Sequence, residues 1–151
     1  MIRVISLSAV MAAALVVGLA AQSQRTRQND GCDNSWRKAY CEVREDTFSS
    51  QGTLDVDGAP NGGISVRGWN RADVHVRTRI QAYADDEATA RALAAQVRVV
   101  FDGGRLHAVG PDRDGNQSWS ASFEIDAPRD SRLQLTTKNG GIAITDFDGY
   151  G

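Results

Sequence analysis

An internal repeat is the feature that most constrains the fold of this chain. The segments PNGGISVRGWNR (residues 60–71) and KNGGIAITDFDG (residues 138–149) share Asn-Gly-Gly-Ile, a small residue, a β-branched residue, two further positions and an aromatic residue. Repeated strand–turn units favour a stack of coils that share one core. The alternative is coincidence between two hairpins, because Asn-Gly is also a common hairpin turn. The aligned pairs are Asn61 with Asn139, Gly62 with Gly140, Gly63 with Gly141, Ile64 with Ile142, Val66 with Ile144 and Trp69 with Phe147.

A stack of coils makes specific predictions for the repeat turns at residues 61–63 and 139–141. The asparagine at each corner is expected to adopt a left-handed conformation and to hydrogen-bond the backbone of the adjoining coil, while Ile and Val project into the core. The glycines are expected to supply positive φ angles. A third glycine pair, at residues 103–104 between RVVFD and RLHAVG, predicts an ordinary hairpin turn.

Most of the chain between residues 36 and 151 alternates apolar and polar residues with period two, which is typical of half-buried strands. The clearest strand is SWSASFEIDA, in which Trp119, Ala121, Phe123 and Ile125 share one face. All four side chains are expected to lie in the core. The same alternation assigns these further residues to core faces: Leu54, Val56, Ile64, Val66, Val74, Val76, Thr78, Ile80 and Ala82.

One segment departs from this period. DDEATARALAAQV (residues 85–97) places Ala90, Leu93, Ala94 and Val97 at helical spacing, with Asp85 as the expected N-cap. Its narrow alanine-rich face predicts close packing against a sheet. The fold class expected from these patterns is mainly β, with antiparallel strands and one short helix.

The first residues of the chain have the pattern of an export signal. Arg3 precedes an uncharged apolar run, and the small residues Gly18 and Ala20 are placed for cleavage near Ala20 or Ala21. The alternative is an uncleaved membrane anchor, because the run approaches the roughly 20 residues that span a bilayer. We therefore expect a signal peptide over residues 1–21, a flexible polar segment over 22–35 and one β-repeat domain over 36–151. Cleavage would leave no integral membrane span.

Cys32 and Cys41 are the two cysteines of the chain, and in an oxidising compartment they are expected to form a disulfide. A zinc site would need two more ligands, and His75 and His107 lie in distant predicted strands. The 17 basic and 19 acidic residues are interleaved. Positive charge is not concentrated in any segment, so the sequence does not indicate a nucleic-acid partner.

No motif in the sequence indicates catalysis. Pairs of aspartates occur at predicted turns and strand ends, where Asp commonly makes local hydrogen bonds. The loop DRDGN (residues 112–116) lacks the glycine and glutamate positions of an EF-hand. We expect no catalytic residue, no metal site and no cofactor. Trp69, directly after Gly68 in a predicted turn, is the candidate ligand surface.

The ordered set of segments in this chain resembles a known family. PNGGISVRGWNRADVHVRTRIQA, ATARALAAQV, GGRLHAVGP, SWSASFEI and TTKNGGIAITDFDG, in that order, resemble the bacterial domain-of-unknown-function family of β-strand repeat proteins labelled adhesin-like. The resemblance covers residues 40–151. It implies an exported protein whose carboxy-terminal half is a right-handed β-solenoid of Asn-Gly-Gly coils. Family members continue through further coils, so the domain is expected to be incomplete at Gly151.

These observations together predict an exported envelope or cell-surface module with a binding, adhesion or structural role and no catalytic activity. It would be secreted into the periplasm or to the cell exterior. Its partner would be an envelope or surface component, or a second copy of the same chain. The alternative function is a polysaccharide-binding or polysaccharide-active β-solenoid protein.

Overall fold

A computed structural model describes Cys32 and residues 39–148. The predicted signal peptide (1–21), and the polar segment (22–35) apart from Cys32, lie outside the described residues. Within the described part the chain is mainly β, as predicted. Its elements are β1 (Ala39–Ser49), β2 (Thr53–Asp57), β3 (Ile64–Trp69), β4 (Asp73–Tyr83), α1 (Glu87–Gln96), β5 (Arg98–Asp102), β6 (Arg105–Val109), β7 (Ser118–Pro128), β8 (Arg132–Thr136) and β9 (Ile142–Thr145).

The strands form two sheets, each with an antiparallel and a parallel part. The five-stranded sheet has the order β1-β4-β7-β3-β9, and the four-stranded sheet has the order β5-β6-β2-β8. Pairing is antiparallel between β1 and β4, β4 and β7, and β5 and β6. It is parallel wherever β2 or β3 is involved. The parallel part of both sheets therefore consists of the two repeat copies and the strands beside them.

The main core lies between the two sheets and uses the alternate positions that the sequence predicts. Phe123 and Ile125 of β7 are almost fully buried, as are Leu54 and Val56 of β2. Trp119 differs from the expectation, since it is half-buried and packs against the edges of two separate clusters. It lies near the start of β7, where it lines a surface cleft, and this position leaves part of the indole uncovered.

A second cluster lies under α1, which packs against β1 and β4. Ala90 and Ala94 are fully buried, so the small side chains allow the helix to approach the sheet closely. At the carboxyl end of the helix, Arg44 of β1 donates hydrogen bonds to the carbonyls of Ala94 (3.0 Å) and Val97. The Ala94 carbonyl also accepts from the Val97 amide at 3.1 Å, so the two Arg44 bonds add to this cap and fasten the end of the helix to β1. In the described ranges no helix has the length and hydrophobicity needed to cross a membrane.

The helix begins one residue later than the sequence predicts. Asp86, not Asp85, is the N-cap, and its carboxylate accepts hydrogen bonds from the Thr89 amide and hydroxyl, both at 2.8 Å. These bonds lower the pKa of Asp86 below its ordinary value, the Thr89 amide having the largest effect. Asp85 instead accepts a hydrogen bond from the Asn116 side-chain amide at 3.2 Å.

Cys32 and Cys41 form the predicted disulfide, with their Cα atoms 5.6 Å apart. Cys41 lies in β1 and is buried. The bond therefore fastens Cys32 to the edge strand of the five-stranded sheet.

The glycine pairs divide into two kinds. Gly103 and Gly104 have φ angles of 56° and 85° and join β5 to β6, which confirms the predicted hairpin. The left-handed conformation predicted for the two repeat turns is wrong, because none of the asparagines and glycines at 61–63 and 139–141 has a positive φ. The repeat glycines are needed for a different reason, which the contacts between the two copies explain.

Replacing Thr78 by valine should stabilise the protein. Thr78 is fully buried in β4, and its hydroxyl has no hydrogen-bond partner among the described residues. Valine keeps the shape and removes the unpaired polar group, so we expect Thr78→Val to raise the free energy of unfolding by about 1 kcal/mol in urea denaturation. Thr78→Ser, which keeps the hydroxyl and loses the methyl group, is the control and should lower it. A marked loss in Thr78→Val would contradict the assignment of an unpaired hydroxyl.

Candidate functional site

The two copies of the repeat lie side by side in the fold. Ile64 of β3 pairs with Ile142 of β9, and Val66 pairs with Ile144, which are the same pairs that the sequence alignment gives. In the other sheet β2 pairs with β8 in parallel along its whole length. We call residues 53–69 the first repeat unit and residues 132–145 the second repeat unit. Each turn connects the two sheets and closes no hairpin, which removes the alternative of coincidental hairpin turns.

Side chains at the corner link the two units, as predicted for a stack. The Asn139 side-chain amide donates hydrogen bonds to the Asn61 side-chain oxygen at 3.0 Å and to the Pro60 carbonyl at 3.2 Å. The Thr137 hydroxyl donates to the Gly62 carbonyl at 2.7 Å. The second unit therefore bonds directly to the turn of the first. Thr137 was not identified from the sequence because the aligned position in the first unit is Ala59.

The first glycine of each repeat pair is fixed by steric contact with the neighbouring backbone. A Cβ atom on Gly140 would lie 2.0 Å from the Gly62 carbonyl oxygen, and one on Gly62 would lie 1.8 Å from the Ala121 carbonyl oxygen. The second glycines are not constrained in this way. A Cβ on Gly63 would have its nearest contact at 3.6 Å, and one on Gly141 would meet nothing within 4 Å.

Among the residues that the structure describes, the second repeat unit forms an open edge of both sheets, because β8 and β9 are each the last strand. Ile142 and Ile144 are 46% and 51% exposed, whereas the aligned Ile64 and Val66 are 2% and 1% exposed. The same sequence pattern is thus buried in the first unit and half-exposed in the second. The two environments differ because the second unit covers the first, whereas no described unit covers the second.

The backbone of β9 also presents unused hydrogen-bonding groups. The Gly141 carbonyl accepts from the Ile64 amide at 2.9 Å, so the polar groups of Gly141 face β3. Because successive residues of a strand direct their N–H and C=O groups to opposite edges, those of Ile142 and Ile144 face the open side. An added strand could pair with them.

The Trp69 candidate lies at the far end of β3 from the corner asparagines. Its ring is half-buried, its Nε1 donates to the Asp73 carbonyl at 2.9 Å, and the Arg71 guanidinium carbon lies 4.5 Å from the ring centroid. The ring thus already stacks with a cation of its own chain. Trp69 as a ligand surface stays a prediction.

The described residues contain no group of three or more His, Cys, Asp and Glu side chains placed to hold a metal ion. His75 lies in a surface charge network, with Nδ1 3.7 Å from an Asp126 oxygen and Nε2 3.9 Å from a Glu45 oxygen. Ser122 makes a structural hydrogen bond, in which its hydroxyl accepts from the Gly63 amide at 3.2 Å. The site with the most distinctive geometry is therefore the corner and open edge of the second repeat unit.

Comparison with known proteins gives no match to a family model, to a curated protein or to a solved structure.

The steric contrast within the second glycine pair gives a direct test of the stack. Gly140→Ala should lower the free energy of unfolding by about 2 kcal/mol, because the new methyl group would overlap the Gly62 carbonyl. Gly141→Ala is the matched control and should change it by less than about 0.5 kcal/mol. Urea denaturation measures both. Equal effects of the two substitutions would contradict the close approach of the units.

Proposed function

We propose that this chain is an exported, non-enzymatic β-repeat module of a bacterial envelope that acts by binding through the open edge of its second repeat unit. The observation that carries the proposal is the contrast between the buried Ile64 and Val66 and the half-exposed Ile142 and Ile144 at equivalent positions. The occupant of the edge is a polypeptide unit with the same Asn-Gly-Gly pattern. Successive units would extend the stack into a right-handed β-solenoid, as the family resemblance implies.

The corner chemistry supports an occupant of this kind. The first unit offers the second an asparagine oxygen and a glycine carbonyl, and Gly140 of the second unit lacks the side chain that would overlap that carbonyl. The second unit offers Asn139 and Gly140 at the same positions, so it presents the same groups again. An incoming unit would repeat the contacts that the chain already makes once.

The composition of the two edge strands of the five-stranded sheet also supports an interaction at β9. Edge strands that avoid pairing commonly carry charged side chains. The edge strand β1 contains Glu42, Arg44, Glu45 and Asp46, whereas β9 has the sequence IAIT and no charge. One edge is thus protected against strand addition, and the other is not.

Apolar burial favours the proposed contact. Full burial of an isoleucine side chain contributes about 1.5–3 kcal/mol, so covering the exposed half of Ile142 and of Ile144 would contribute about 1 kcal/mol each. The backbone N–H and C=O groups of Ile142 and Ile144, which face the open side, would gain hydrogen-bond partners. Strand addition of this type obtains its affinity from main-chain hydrogen bonds.

Export to an oxidising compartment is supported by two independent features. The Cys32–Cys41 disulfide is of a kind that persists in secreted and periplasmic proteins and is rare in the cytosol. The sequence of residues 1–21 has the charge, apolar run and small residues of a signal peptide.

An added repeat unit tests the open edge directly. The Asp148 amide donates to the Arg129 carbonyl at 3.3 Å, so a copy of residues 130–148 inserted directly after Asp148 would begin beside residue 130. We expect this variant to gain about 2 kcal/mol of unfolding free energy and to slow hydrogen exchange at the Ile142 and Ile144 amides.

The matched control is the same insertion with Gly140→Val in the added copy, which prevents close approach of the third unit. It should show the stability and exchange rates of the unextended chain. If the extended variant and its control protect the Ile142 and Ile144 amides equally, the edge does not accept a unit of this pattern and the proposal fails.

Export is tested by expressing the whole chain in a bacterium and measuring the mass of the recovered protein. Periplasmic protein is expected to lack the residues up to Ala20 or Ala21 and to contain the disulfide. The variant with Gly18→Arg and Ala20→Arg should remain uncleaved, because the signal peptidase requires small residues there. Full-length protein of the original sequence in the membrane fraction would instead show an uncleaved anchor.

A further inference from the structure

A second candidate site lies in a cleft of about 510 Å³ beside the corner of the repeat units. Its walls come from four separate segments of the chain: the turn of each repeat unit, the residues that follow β6, and the start of β7. The cleft does not include strands β8 and β9, but it shares the Asn139 side chain with the corner contact that the stacking proposal uses. Its lining includes Asn61, Asp112, Arg113, Trp119, Lys138 and Asn139.

Trp119 gives the cleft an aromatic surface that is held in a fixed orientation. Its Nε1 donates to the Pro111 carbonyl at 2.8 Å. Gly110 packs against the ring so closely that a Cβ atom there would lie 2.8 Å from ring carbons Cε2 and Cζ2. The indole is half-buried. It therefore presents an apolar surface whose position is set before any ligand arrives.

The corner asparagines supply polar groups that are also fixed. The Asn139 amide nitrogen is used in bonds to the first repeat unit, and those bonds orient both asparagine side chains. Among the described residues, no hydrogen bond uses the Asn139 side-chain oxygen or the Asn61 side-chain nitrogen. Each asparagine thus retains one group, an acceptor and a donor respectively, for a ligand.

Two cations flank this surface. Arg113 and Lys138 are exposed, and within the described ranges neither forms an ion pair with a carboxylate. Asp112 is the single acidic residue of the lining. The cleft therefore has an excess of positive charge, although acidic residues outnumber basic ones in the chain as a whole.

We propose that this cleft binds an acidic polysaccharide, at a sugar that carries a carboxylate. The apolar C–H face of a pyranose ring would pack on the electron-rich face of the Trp119 indole. Hydroxyl groups of the sugar would bond to Asn61 and Asn139, and its carboxylate would lie between Arg113 and Lys138. A wide cleft with an aromatic wall and few polar groups of fixed direction suits a sugar better than an extended peptide, which needs a free strand edge.

Titration of the whole chain with a short oligogalacturonate, followed by NMR, tests this site. The expected result is saturable binding with shifts at the Trp119 indole N–H and at the Asn61 and Asn139 side-chain amides. A neutral oligosaccharide of glucose should bind at least tenfold more weakly. Raising the salt concentration should weaken oligogalacturonate binding, because part of the affinity is electrostatic.

Two variants separate the contributions of charge and stacking. Arg113→Ala combined with Lys138→Ala should weaken oligogalacturonate binding at least tenfold. The control, Arg98→Ala with Arg132→Ala, removes two exposed cations outside the cleft and should leave the affinity unchanged. Trp119→Leu should reduce binding as well, with a thermal melt to verify that this variant is folded.

Three results would overturn the proposal. The first is the absence of shifts at Trp119 and the asparagine amides at millimolar oligogalacturonate. The second is equal binding of the neutral oligosaccharide, which would exclude a role for the carboxylate. The third is equal binding of a polyglutamate peptide at the same residues, which would indicate that the cleft recognises negative charge alone.

Discussion

The structure depends on the close backbone contact between the two repeat units at Gly62 and Gly140. The Gly62 carbonyl occupies the space that a side chain at Gly140 would need, and Gly62 stands in the same relation to Ala121 of β7. Three layers of backbone therefore lie directly against one another at one corner of the fold. A side chain at Gly140 would force the two turns apart, and one at Gly62 would force the first turn away from β7.

Contact between the two turns at this corner determines which strands pair in both sheets. With the turns in contact, β8 can pair with β2 and β9 with β3 at the same time. The buried apolar residues of the first unit then lie in the core between the sheets, and Leu133, Leu135 and Phe147 pack against that core as partly buried residues. The corner hydrogen bonds of Asn139 and Thr137 fix the register, and a shift of one residue would turn the isoleucines away from the core.

The two proposed sites follow from the same arrangement. Stacking the turns brings Asn61 and Asn139 together beside Trp119, which forms the cleft, and it places β8 and β9 at the end of the sheets, which forms the open edge. The edge presents apolar side chains and main-chain groups, whereas the cleft presents an indole, amides and cations. Their different chemistry fits different partners, a polypeptide unit at the edge and an acidic sugar in the cleft.

The sequence by itself determined the local structure, because alternation, turn composition and helical spacing depend on neighbouring residues. It indicated the strand faces, the hairpin at Gly103 and Gly104, the disulfide and the pairing of the repeat copies. Tertiary structure alone decided the reason for the repeat glycines, the partial exposure of Trp119 and the role of Thr137. These three features arise from contacts between residues distant in the chain, and neither the alternation nor the repeat specifies those contacts.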